Sequence, residues 1–159
     1  MRTPRKAIIT VAVITIFMVG FAVTGLGKQF TIGIATPTLF DEGQVAIQQG
    51  AINGANKYGF KYIITNAEGD AARQVDQFDY LLLQGVDAIM TVPVDSGVLS
   101  EAVKKANRAG VPVACIDRST TEGKLAITVQ ADNYLAGKQA AEYMVKLLTT
   151  RYGKPKGTV

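Results

Sequence analysis

Between Phe30 and Tyr152, short apolar runs rich in β-branched residues alternate with stretches of helical spacing, and this alternation limits the folds open to the chain. The runs are FTIGIAT (30–36), KYIITNA (61–67), DAIMTVP (87–93), VPVACID (111–117) and AITVQAD (126–132). The helical stretches are QVAIQQGAINGANKY (44–58), DAARQVDQFDYLLLQ (70–84), SGVLSEAVKKANRA (96–109) and NYLAGKQAAEYMVKLLTTRY (133–152). In the second of these Val75, Phe78 and Leu82 share one face. Ser96 and Asn133 stand where caps of the third and fourth belong, and Gly59, Gly85 and Gly110 follow the ends of the first three. Only the fourth and fifth runs are joined by a loop alone, RSTTEGKL (118–125). Parallel strands need long crossovers, which helices supply. Runs apolar almost throughout are those of strands covered on both sides. The spacing therefore predicts an α/β fold, a three-layer, doubly wound parallel sheet of five strands with four helices.

The turns from helix to strand, YGFK, QGVDA and AGVPV, are short and contain glycine, whereas the loops that leave the strands are longer and polar. Those loops lie at the carboxyl ends of the strands, the edge at which an open parallel sheet binds ligands. There the fourth run ends in an acid and a base, Asp117 and Arg118. An exposed loop ion pair would contribute little to stability. As ligand groups they suit a neutral polyol, because a carboxylate accepts from vicinal hydroxyls while a guanidinium donates in a rigid fork. The first loop, TPTLFDEGQ, offers Phe40, Asp41 and Gln44. Phe40 is either a stacking face for a sugar ring or a lid on the core. Asp41 is either a ligand acceptor or, with Glu42, an acid favoured at a helix start. Glu68, Asp70 and Asp95 read as caps and solvated turns.

Composition removes several kinds of chemistry. With no histidine and one cysteine, the usual zinc ligand sets and a serine–histidine–aspartate triad are out of reach. No strand is followed by a phosphate-binding glycine pattern, and nothing implies a cofactor. Cys115, inside the fourth run, reads as a small buried hydrophobe with no partner for an intramolecular disulfide. Ahead of the first run, basic MRTPRK precedes an uncharged apolar stretch, Ala7 to Leu26, so residues 1–27 read as an export signal. Gly25 and Gly27 sit at −3 and −1 of a cut before Lys28, with Ala22 and Thr24 offering a second register. The same stretch is long enough to be a membrane anchor instead. Without it the chain has fourteen basic and thirteen acidic residues, which leaves no electrostatic footprint for nucleic acid.

The set FTIGIAT, ANKYGFKYIITNA, QGVDAIMTVPVDSGVLSEAVKKANRAGVPVACIDR and QADNYLAGKQAAEYM resembles the sugar-binding proteins of bacterial ABC transporters, the ribose-binding kind of type I periplasmic binding protein. The likeness is most specific from Gly85 to Arg118. It implies a non-enzymatic, exported, periplasmic protein of two lobes that closes on a sugar and delivers it to ABC permease subunits in the membrane. By this resemblance Asp117 and Arg118 bind sugar hydroxyls, and Asp41 takes the place of a ligand-contacting asparagine. The family's Asn-Asn-Pro-Phe-Phe run is not kept: its paired rings fall on Gly43 and Gln44, which leaves Phe40 as the nearby aromatic. Residues 28–159 then correspond to the N-terminal lobe. On this resemblance the chain is expected to reach the hinge at GKPKGTV (153–159), with the second lobe, the other half of the site, missing from residues 1–159.

Two other roles fit the scaffold. Retention of residues 7–26 would make the chain a membrane-tethered sensory ectodomain. The effector domain of a LacI-type regulator shares the fold, but would need a helix-turn-helix where this chain carries its apolar segment.

Overall fold

The computed structural model describes residues 28–153. The elements run β1 (Thr31–Thr36), α1 (Glu42–Lys57), β2 (Lys61–Asn66), α2 (Ala71–Leu83), β3 (Ala88–Thr91), α3 (Leu99–Arg108), β4 (Val113–Ile116), β5 (Ile127–Val129) and α4 (Asn133–Tyr152). All four strand pairings are parallel, and the order across the sheet is β2-β1-β3-β4-β5. The chain leaves β1 to one side to reach β2, then crosses to the other side for β3, so the winding reverses between β1 and β3.

One face of the sheet holds the main core. Ala35, Ile89 and Val113 pack with Phe78 and Leu81 of α2 and with Leu99, Ala102, Val103 and Ala106 of α3. Helix α2 rests almost on the backbone of β1: a Cβ added to Gly33 would lie 2.9 Å from Leu81 Cδ1. Residues of alternate parity face the other way, and Ile34 and Met90 share a recess with Ile47 of α1. The two faces are thus wound by different helices, as the alternation predicts.

The structure refines three details. The fully buried positions of α2 are Gln74, Phe78 and Leu81, while Val75 and Leu82 of the expected face pack, partly buried, against the same core. Gln74 tolerates burial because all of its amide is engaged: Nε2 donates to Thr91 Oγ1 (3.2 Å) and to the Val92 carbonyl (2.9 Å), and Oε1 accepts from the Val94 N–H (2.8 Å). Helix α3 begins at Leu99 rather than Ser96, because the Asp95 carboxylate first takes the N–H groups of Gly97 and Val98 in a turn of its own, both at 2.8 Å. The cap of α4 is Asp132, not Asn133: its Oδ1 accepts from the Leu135 N–H at 2.8 Å.

Ile127 and Val129 of β5 are more than half exposed, and α4, apolar along much of its length, has no buried residue. Among the described residues the buried core is therefore built before α4. The signal or anchor at 1–27, with its Gly25 and Gly27 cut, lies outside the described residues, as does most of GKPKGTV. Among the described residues no helix is long and apolar enough to cross a membrane.

Candidate functional site

Asp117 follows directly on β4, and its N–H donates to the Val129 carbonyl of β5 at 2.8 Å. The Arg118 N–H turns back onto the Ile116 carbonyl at 2.7 Å, closing a three-residue turn around Asp117. Asp117 accordingly has φ = 64°, left-handed backbone that costs an L-residue energy and that asparagine and aspartate bear better than most. This turn swings the acid and the base out of the sheet at its carboxyl edge. Their side chains are about half exposed, with Arg118 Nε 3.8 Å from Asp117 Oδ2. Arg118 Nη1 also donates to the Val94 carbonyl in the loop after β3, at 3.3 Å. Gln74 holds that same loop from below, through Val92 and Val94.

The β4–β5 loop is pinned from behind. Thr121 donates its N–H to the Ser96 carbonyl (3.1 Å), and Glu122 donates its N–H to Ser100 Oγ (3.1 Å). Lys104 bridges Glu101 and Glu122. Gly123, at φ = 91°, lies so close to α3 that an added Cβ would meet Val103 Cγ1 at 2.7 Å. These contacts fix the base of the segment that carries the charged pair. Cys115, one residue before Ile116, is fully buried, and that burial pushes its thiol pKa up, which keeps it a neutral packing group.

On the β1 side, Asp41 caps α1: its Oδ1 accepts from the N–H groups of Gly43 (2.6 Å) and Gln44 (3.3 Å). The capping role expected of an acid there is therefore filled, and it occupies only one of the two carboxylate oxygens. Phe40 is 90 % exposed, so it is not a lid on this lobe's core. Asp41 and Asp117 sit on loops from strands two places apart, about 10 Å at the usual spacing of neighbouring strands. The loop after β3 lies between them, beside the point where the winding reverses, and at such a point open α/β sheets hold their ligands.

All four residues singled out in the sequence thus stand on the carboxyl edge. The sequence reading missed Gln74, which positions the central loop, because a polar residue in a helical stretch reads as solvent-facing. Glu68, with φ = 54°, pairs with Arg73 on the far side of β1, and Asp70 caps α2.

Comparison with known proteins bears on the fold and the family. Residues 32–159 match the model of the periplasmic binding protein domain. The ribose import binding protein of Bacillus subtilis is 40% identical over 125 residues, which are 79% of this chain and 41% of that protein. The Caulobacter myo-inositol binding protein, solved with myo-inositol, superimposes with a TM-score of 0.69 at 26% identity, over 79% of this chain and 43% of that one. The fructose-binding periplasmic domain of a hybrid two-component system gives a TM-score of 0.69 at 25% identity, over 76% and 40%. The chain spans about two fifths of the length of these relatives. With a family model that covers most of its length and a relative 40% identical over 79% of it, the chain belongs to the periplasmic binding protein domain family.

Proposed function

We propose that this chain supplies the first lobe of a solute-binding protein that holds a monosaccharide, or a similar neutral polyol, for an ABC importer outside the cytoplasm. The observation that carries this reading is the Asp117–Arg118 pair. It is turned out of the sheet by a left-handed residue and braced on the loop beside the winding reversal. The pair can accept from and donate to vicinal hydroxyls and needs no bond-making chemistry. Phe40 offers a ring face, and Asp41 a carboxylate oxygen not used in capping.

The same reading assigns the rest of the chain. Residues 28 to about 131 form the lobe, and α4, which buries nothing here, belongs to the second lobe across a hinge at Gln130–Asp132. The partners are a sugar, the second lobe and membrane permease subunits. Titration calorimetry of the intact protein against D-ribose, D-xylose, D-glucose and myo-inositol tests the reading. Saturable micromolar binding of at least one is expected, and no heat from any of them at millimolar concentration would reject it.

The likeness to a fructose-binding domain of a two-component system favours one second reading, a sensory ectodomain. Intact mass from the producing cells separates the two, because a tethered sensor keeps residues 1–27.

A further inference from the structure

The amino edge of the sheet, opposite the ligand side, gathers cations. Lys28, Lys57, Lys61, Arg108 and Lys124 all lie there, exposed, on the turns that lead into the strands or at the strand starts. Lys28 pairs with Asp87. Lys57, Lys61, Arg108 and Lys124 have, among the described residues, no carboxylate within ion-pair distance. The helix dipole accounts for bases in last turns, and so for Lys57 of α1 and Arg108 of α3. It does not account for Lys28, Lys61 and Lys124, which precede or open β1, β2 and β5. Acids collect at the other end instead, where Asp41 and Asp70 cap helices and Asp95 and Asp117 hold turns.

The same edge exposes apolar side chains among its cations. Tyr58, the C-cap of α1, is 66% exposed, and Phe30, just ahead of β1, is 50% exposed. Phe60 packs against both, with ring centroids 6.0 Å from Phe30 and 6.1 Å from Tyr58. Lys28 Nζ stands 5.9 Å from the Phe30 ring centre and Lys57 Nζ 5.5 Å from that of Tyr58. Leu83, in the last turn of α2, is 84% exposed. Lysines interleaved with rings and an aliphatic side chain suit the headgroup layer of a bilayer, where rings and lysine stems enter the interface while ammonium groups meet phosphates. Chain order points the same way. The uncharged apolar run Ala7 to Leu26 joins the lobe at this edge, with Leu26 and Lys28 separated by at most about 7 Å of chain.

We propose that the amino edge is a membrane-docking face that takes anionic lipid headgroups and leaves the carboxyl edge, with Asp117 and Arg118, turned away from the bilayer. This goes beyond the sugar-binding reading and does not depend on it. The test uses the protein from Lys28 onward, so that the apolar run cannot hold it on a membrane by itself; the buried core cluster runs from Ala35 to Val113. Co-sedimentation is measured with vesicles of equal parts phosphatidylglycerol and phosphatidylcholine, and with vesicles of phosphatidylcholine alone. At low salt the wild type should bind the anionic vesicles at least about tenfold tighter than the neutral ones. It should lose that preference at about 1 M salt, where the Debye length is about 3 Å. Lys57→Gln, Lys61→Gln and Lys124→Gln combined should weaken anionic binding about 100-fold, at about fivefold for each lysine near such a surface. Tyr58→Ser with Leu83→Ser keeps every charge and should weaken it about tenfold. Arg73→Gln, which removes a cation from the opposite edge, should change nothing. No binding, equal binding to both kinds of vesicle, or anionic binding that the triple variant keeps within about threefold overturns the proposal, as does a loss from Arg73→Gln as large as that from the triple variant.

Discussion

Replacing Asp117 by glycine separates what this residue does for the fold from what it does for the ligand. At φ = 64° an L-residue bears roughly 1–2 kcal/mol of left-handed strain, which glycine does not. Glycine's freer unfolded chain offsets about 0.5–1 kcal/mol of that relief. The ion pair lost with the carboxylate is long and half exposed, 3.8 Å from Arg118, and contributes little. Asp117→Gly should therefore leave stability within about 1 kcal/mol of the wild type, a few degrees in Tm for a domain of this size. Binding should behave oppositely. Two hydrogen bonds from sugar hydroxyls to a carboxylate, at about 1.5–3 kcal/mol each, correspond to an affinity loss of about 10²- to 10⁴-fold. Thermal unfolding and titration calorimetry on one preparation read both effects. Sugar affinity within threefold of the wild type would refute the ligand role. A loss of more than about 2 kcal/mol of stability would show that Asp117 is kept for the turn.

Other substitutions test the surrounding structure. Gln74→Leu strands the Val92 carbonyl and the Val94 N–H beneath the central loop. It should cost about 2–4 kcal/mol in denaturant unfolding and weaken sugar binding as well, whereas a cost under about 1 kcal/mol would show that the network is dispensable. Removal of residues 133–159 takes away a helix with no buried residue. A chain of residues 28–132 should melt cooperatively within about 1 kcal/mol of the longer one, and non-cooperative melting would return α4 to this lobe. Hydrogen bonds from the Lys28 side chain and then the Thr31 N–H lower the pKa of Asp87. A carboxylate depressed in the folded state adds stability that is present above its unfolded value near 4 and lost as pH falls through the folded value. Acid unfolding should therefore be shallower in Asp87→Asn than in the wild type, and superimposable acid limbs would remove this pair from the account.

Much of the architecture was legible because apolar run length and glycine punctuation track strands and helix ends directly. Boundaries blurred where side chains compete with the backbone: Asp95 builds its own turn, so α3 starts three residues after Ser96. Val75, Phe78 and Leu82 were legible as the core side of α2, but Gln74 was not, because it is polar yet fully paired, a fact that lives in Thr91, Val92 and Val94 rather than in the helix sequence. Helix α4 shows the limit of pattern reading from the other side: its apolar residues announce a buried helix, yet none of them is buried among the described residues. At the site, the position of Asp117 and Arg118 at a strand end was readable. The left-handed backbone that presents them depends on three-dimensional neighbours.

Backbone-amide NMR of the isotope-labelled intact protein, titrated with D-ribose, D-xylose, D-glucose and myo-inositol in turn, tests the sugar edge most directly. For any sugar that binds, the largest shifts should fall at Phe40 to Gln44, at Val92 to Val94 and at Asp117 and Arg118. Shifts confined to the amino ends of the strands, or saturable binding that leaves Asp117 and Arg118 unmoved, would contradict a ligand site on the carboxyl edge.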